Sequence, residues 1–228
     1  MTMKSPAQAH FERVSAAKAA ASVEGRTMAG ASRYELMLAK LASDRRRLKA
    51  IQSVKQKIAV KAELLPEYAE YVAGALEGGR GAQDDVLVTV MVWRIDTGDY
   101  AGALDIARYA AAHGLVLPDQ YERTLHAVIA EEFADAALAA FAAGETFDAD
   151  LLQGVDVLTA TADMHDQVRA KLCKALGLAL EATRPATALE YLRRALSLNE
   201  RVGVKKDIAR LAQALQDTQD TAGGNAAP

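Results

Sequence analysis

Nine basic side chains in the first third of the chain have the chemistry to hold a phosphate backbone: Arg33, Lys40, Arg45, Arg46, Arg47, Lys49, Lys55, Lys57 and Lys61. Consecutive helical residues turn by about 100°, so the Arg45-Arg46-Arg47 triplet spreads over a wide arc. Such an arc meets phosphates broadly and favours affinity over base-specific readout. The charge distribution agrees. Residues 1–65 carry 13 Lys/Arg against 5 Asp/Glu, while residues 66–228 carry 14 against 25. The near-neutral total of −3 therefore hides a basic N-terminal region on an acidic body, the footprint of a nucleic-acid-binding arm.

Carboxylates offer a second chemistry. Asp84-Asp85, Asp96 with Asp99, and Glu131-Glu132 are the acidic pairs, and clustered carboxylates hold magnesium in nucleases. Neighbours on a helix diverge too far to share an ion readily. Asp84-Asp85 also suits a helix start, where carboxylates complement the helix dipole, and Asp96 and Asp99 flank a turn. No metal or cofactor is expected, with magnesium entering only if the chain itself cuts DNA. His10, His113, His126 and His165 show no zinc-like spacing. Cys173 is the sole cysteine, which excludes an intrachain disulfide, and its apolar helix face suits a core thiol. The glycine-rich run 74–81 (GALEGGRG) lacks the Gly-Lys-Ser/Thr ending of a phosphate loop and reads as a hinge or turn. No catalytic residue emerges from these patterns.

The elements that must position these groups are helices. Alanine is abundant, aromatics make up 5% and apolar residues 51%. The expected class is all-α: a long N-terminal helical or coiled-coil DNA-binding region, then tetratricopeptide-like stacked helical hairpins. Residues 1–31 read as a helix over Pro6–Ser22 followed by a linker. Residues 32–80 form the basic long-helix region for DNA binding and oligomerisation, opened by a Ser32–Glu35 capping box and uninterrupted by Pro or Gly until Pro66. Tyr34, Met37, Leu41, Leu48, Ile51, Ile58, Ala62 and Leu65 make its heptad seam, interrupted by Asp44 and Lys55. That seam fits a coiled coil or an ordinary amphipathic helix. Residues 81–217 form an acidic helical-hairpin body. In it 98–114 and 183–199 echo each other as second helices of hairpins. Residues 218–228 read as a disordered tail. No run approaches the ~20 apolar residues of a membrane span, and no signal peptide is visible, so a cytoplasmic protein without membrane partners is expected.

Five blocks carry a family resemblance: SPAQAHFERVSAA (5–17), YELMLAKLASDRRRLKAIQS (34–53), GAQDDVLVTVMVWRIDTGDYAGALDIARYA (81–110), AGALDIARY within it, and LTATADMHDQVRAKL (158–172). Their order and spacing resemble the GpM-like small terminase subunits of Peduovirus-type tailed phages, over about residues 5–210. The resemblance implies a role in the host bacterial cytoplasm. The partners would be double-stranded phage DNA at its cohesive-end site and a large, ATP-hydrolysing terminase subunit, and the chain would form a ring-like homo-oligomer. It also implies an alternative, because this family has been labelled the endonuclease subunit: metal-dependent cleavage at the cohesive-end site.

Overall fold

A computed structural model describes the backbone of residues 28–78, 81–118 and 123–224, with side chains over 34–78, 81–118 and 123–218. Among these residues the chain is all-helical. The N-terminal region contains α1 (Met28–Lys49), α2 (Val54–Leu64), a 3-10 turn (Leu65–Tyr68) and α3 (Ala69–Gly78). Then follow α4 (Asp85–Asp96), α5 (Tyr100–Ala112), α6 (Leu125–Ala142), α7 (Ala149–Thr159), α8 (Asp166–Leu180), α9 (Pro185–Leu198) and α10 (Lys205–Gly224). The helix expected over Pro6–Ser22 lies outside the described residues.

The single long helix expected from Ser32 to Pro66 is two helices. α1 already begins at Met28, so Ser32 and Glu35 lie inside it and do not form its cap. It ends at Lys49 without Pro or Gly, and Ser53 caps α2 by accepting from the Gln56 amide at 3.3 Å. Burial explains the break. A straight helix over these 37 residues would be about 55 Å long and could not press both halves onto one body. The turn at 50–53 sends α2 back onto α4, where Val60 and Leu64 are buried. It also resets the apolar phase: Leu41 and Leu48 are buried and Ile51 packs against the core, while Ile58, beyond the turn, stays exposed. The seam of α1 thus faces the chain's own core.

Asp44 interrupts that seam because it has partners there. Tyr68, fully buried in the 3-10 turn, donates its hydroxyl to Asp44 Oδ2 at 2.6 Å. Lys40 Nζ reaches the same oxygen at 2.8 Å and Glu67 at 2.9 Å, and lies 4.7 Å above the Tyr68 ring. Trp93 of α4 packs edge-on to that ring. Burial, then the Asp44 carboxylate, pushes the Tyr68 phenol pKa up, so it remains a donor. Burial works against the Lys40 charge, but its hydrogen bonds to the Asp44 and Glu67 carboxylates prevail and raise its pKa. Tyr68→Phe keeps the packing and removes one donor from a buried carboxylate, so stability should fall by about 1–2 kcal/mol in urea denaturation. An unchanged midpoint would refute the network's contribution.

One apolar core runs from Leu41 through Leu176, with Val60, Leu64, Tyr68 and Val72 packed into the same cluster as α4–α8. The break expected at Gly74–Gly81 falls later: Gly74 and Gly78 stay within α3, and α4 starts at Asp85. Gly81 has φ +75°, and a Cβ there would strike His113. Its amide donates to Tyr109 Oη at 3.1 Å. Gln83 straps this connection to Val116 through two hydrogen bonds of 2.8 and 3.0 Å.

The two echoing segments contain α5 and α9, each packed on its predecessor, α4 and α8. Close approach of α8 and α9 needs Gly177, where a Cβ would lie 2.6 Å from Leu192 Cδ2 and 3.2 Å from the Ala188 carbonyl. A second cluster, from Leu180 to Leu211, fastens α10 to α9. α10 continues to Gly224, so residues 218–224, expected as tail, are helical; residues 225–228 lie outside the description. Once its first turns are packed, each further residue adds a hydrogen bond without a new nucleation cost.

Candidate nucleic-acid interface

The α1–α2 corner gathers much of the basic set, because the turn at 50–53 brings the end of one helix beside the start of the next. Arg46, Arg47 and Lys49 occupy the last turn of α1, where cations complement the dipole. Lys55 and Lys57 follow in the first turns of α2, whose unpaired amides favour anions. Arg46, Lys49 and Lys55 are exposed and Lys57 is half-buried. None of these four has an ion-pair partner among the described residues. Arg47 is exposed and meets Glu63 at 3.2 Å, a solvent-facing pair that a phosphate could displace.

The remaining predicted contacts serve the fold. Lys40 is held by Asp44 and Glu67. Arg45 donates to Thr89 Oγ1 at 2.8 Å, tying α1 to α4. Lys61 reaches Asp96 at 2.5 Å, tying α2 to α4. Arg33 lies on α1, with its side chain outside the described set. Sequence reasoning could not separate these groups, since a helical Lys facing a carboxylate and one facing water look alike in a charge count. It also missed unpaired cations on α9 and α10, hidden by the acidic average of the body.

Each acidic pair has at least one member with a structural use. Asp84 caps α4, its Oδ1 accepting from the Val86 and Leu87 amides at 3.0 and 2.9 Å, while Oδ2 accepts from Tyr71 Oη. Asp85 accepts from Gln83. Asp96 binds Lys61, and Asp99 caps α5 through the Gly102 amide and pairs with Arg94. Glu131 pairs with Arg123 and Lys171. Among the described residues no group of three or more His, Cys, Asp or Glu is placed to hold a metal ion. Burial pushes the Cys173 thiol up to about 11, leaving it protonated at neutral pH.

Asp84→Ala should destabilise the chain by about 2 kcal/mol, through the lost cap and the lost hydrogen bond from Tyr71. Asp84→Asn, which keeps one cap oxygen, should lose less. Equal losses in thermal melts of the two variants would show that the cap contributes little.

No described helix is long and apolar enough to cross a membrane. The sequence profile described as phage small terminase subunit matches residues 38–167, which run from α1 into α8. The chain is similar to a protein of Escherichia phage P2 named "Terminase, endonuclease subunit", at 53% identity over 94% of this chain and 87% of that one. It is also similar to the "Probable terminase, endonuclease subunit" of Haemophilus phage HP1 (strain HP1c1), at 24% identity over 80% of this chain and 70% of that one. No solved structure matches.

Proposed function

Because this chain belongs to the phage small terminase subunit family, we propose that it is the DNA-recognition and assembly subunit of a phage packaging machine. It binds double-stranded phage DNA at the cohesive-end site and docks the large, ATP-hydrolysing subunit that drives packaging, in the host cytoplasm. The observation that carries this reading is the cluster of unpaired cations at the α1–α2 corner, set on a rigid turn at the junction of two helix ends. Phosphates are the ligand that such a cluster fits.

The body supplies protein contacts. The α4–α5 and α8–α9 pairs act as tetratricopeptide-like stacked hairpins. The coiled-coil reading narrows to the outer face of α1 and α2, where Leu36, Val54 and Ile58 stay exposed and can meet another copy. Residues 124–168 contain no Lys or Arg, so this stretch of the body repels DNA and keeps it at the basic corner. The homo-oligomer is a ring. Native mass with and without a cohesive-end duplex tests the assembly, and a strict monomer in both conditions would rule it out. Anisotropy titration with that duplex tests the binding; absence of a salt-dependent isotherm would rule out the DNA role.

The printed names of both relatives favour a second reading, cleavage of DNA by this subunit itself with bound magnesium. Purified chain with magnesium should then nick a cohesive-end fragment. Asp84→Asn and Asp85→Asn should abolish nicking while leaving binding intact. Persistent nicking in both variants would remove these carboxylates from the reaction.

A further inference from the structure

We propose a second phosphate-binding surface at the elbow between α9 and α10, formed by Arg193, Arg194, Arg201, Lys205 and Lys206 and taking duplex DNA. This inference rests on the DNA-binding reading above and adds a second point of contact to it.

All five side chains belong to exposed residues. None has an ion-pair or hydrogen-bond partner for its side chain among the described residues, whereas nearby Arg210 is committed to Glu181 and Asp207. At about 1.5 Å of rise per residue, Arg194 lies roughly 6 Å from the end of α9. Lys205 and Lys206 open α10, where free amides and the helix dipole add to the positive potential. The cluster is thus concentrated at one end of the hairpin.

The elbow is also held in shape. Asn199 Oδ1 accepts from the Arg201 amide at 3.0 Å. Lys174 of α8 donates to the Val202 carbonyl at 2.9 Å. Gly203 turns the chain at φ +79°, and Val204 is fully buried. A rigid loop presents its cations without the ordering cost of a tail.

Duplex DNA is favoured over a protein partner by what the surface lacks. Among the described residues the large apolar side chains that are exposed are Leu36, Val54, Ile58, Val116 and Val157, and none lies on the elbow. Protein interfaces centre on buried aromatic or apolar anchors, whereas phosphate contacts need only Lys, Arg and amide donors.

The test is anisotropy titration of a cohesive-end duplex across a salt series, with full-length chain. The variants are Arg201→Ala/Lys205→Ala/Lys206→Ala and, separately, Arg193→Ala/Arg194→Ala. For the triple variant, affinity should fall about tenfold at 0.1 M salt, and the log–log salt slope should shrink by roughly 2–3. The double variant should lose less, with a slope smaller by roughly 1–2. Thermal melts should match wild type. Wild-type binding with unchanged affinity and slope in both variants would overturn the elbow alone. Absence of wild-type binding would overturn the DNA reading and the elbow with it. Altered oligomer mass with an unchanged salt slope would assign the elbow to a protein contact and also overturn the proposal.

Discussion

Arg169→Ala is expected to lower stability by about 3 kcal/mol, which for a chain of this size corresponds to a fall in Tm of roughly 6–12 °C. Arg169 is a buried cation on α8, far from the basic corner in sequence and different in use. Its Nη1 donates to Thr159 Oγ1 at 2.9 Å, and its Nη2 donates to the Thr159 carbonyl. Thr159 is the last residue of α7, so the guanidinium satisfies a helix-end carbonyl where the dipole is negative. Asp156 lies 3.7 Å away and also accepts from Tyr191 Oη of α9 at 2.9 Å. One side chain therefore links α7, α8 and, through Asp156, α9. Alanine would leave the buried Thr159 carbonyl with only the Ala162 amide and the largely buried Asp156 carboxylate with only Tyr191, and it would take a paired charge out of the interior, the costly half of breaking a buried pair. Arg169→Lys should restore only part, because one ammonium cannot copy the two-pronged contact. A loss below about 1 kcal/mol in urea denaturation would show that water or Tyr191 replaces the guanidinium.

Neutralising Arg46, Lys49, Lys55 and Lys57 together is expected to weaken duplex binding about 10–100-fold at 0.1 M salt and to shrink the salt slope by roughly 3–4. Each lost phosphate contact removes about 0.9 from the slope, because it no longer releases a counterion. Stability should barely move, since these groups pair with nothing among the described residues and surface changes are usually within about 0.5 kcal/mol. The control is the opposite set. Arg45→Ala and Lys61→Ala remove contacts to Thr89 and Asp96, so they should lower the melting temperature while leaving the salt slope nearly intact. If the fourfold variant binds as wild type at every salt concentration, the α1–α2 corner is not the DNA surface. If Arg45→Ala alone flattens the slope, the internal bond to Thr89 must open on binding.

These two experiments separate cations that hold the fold from cations available to a ligand, and charge counting could not make that distinction. Lys40 and Lys49 lie nine positions apart on one helix and contribute equally to the basic balance. Only the 3-10 turn, which brings Glu67 and Tyr68 against Lys40, makes the first structural and leaves the second free. Asp84 shows the same limit from the acidic side. Its neighbour Asp85 suggested a metal pair, but the burial of Asp84 and its bonds to two amides and Tyr71 depend on how α3 meets α4.

Local sequence determined the helical class and several boundaries in the body. Asp99 and Gly114 bracket α5, Gly144 follows α6, Asp148 caps α7 and Pro185 opens α9, because cap residues, positive-φ glycines and proline act within a few residues of themselves. The basic N-terminal region was also visible, since charge is additive along a chain. Tertiary structure decided where α1 stops, which face of α2 is buried and which cations remain free. Those outcomes depend on residues far apart in sequence competing to bury apolar surface, and no local pattern encodes that competition. The basic region that composition alone announced is thereby reduced to one corner, where two helix ends meet and no carboxylate claims Arg46, Lys49, Lys55 or Lys57 among the described residues.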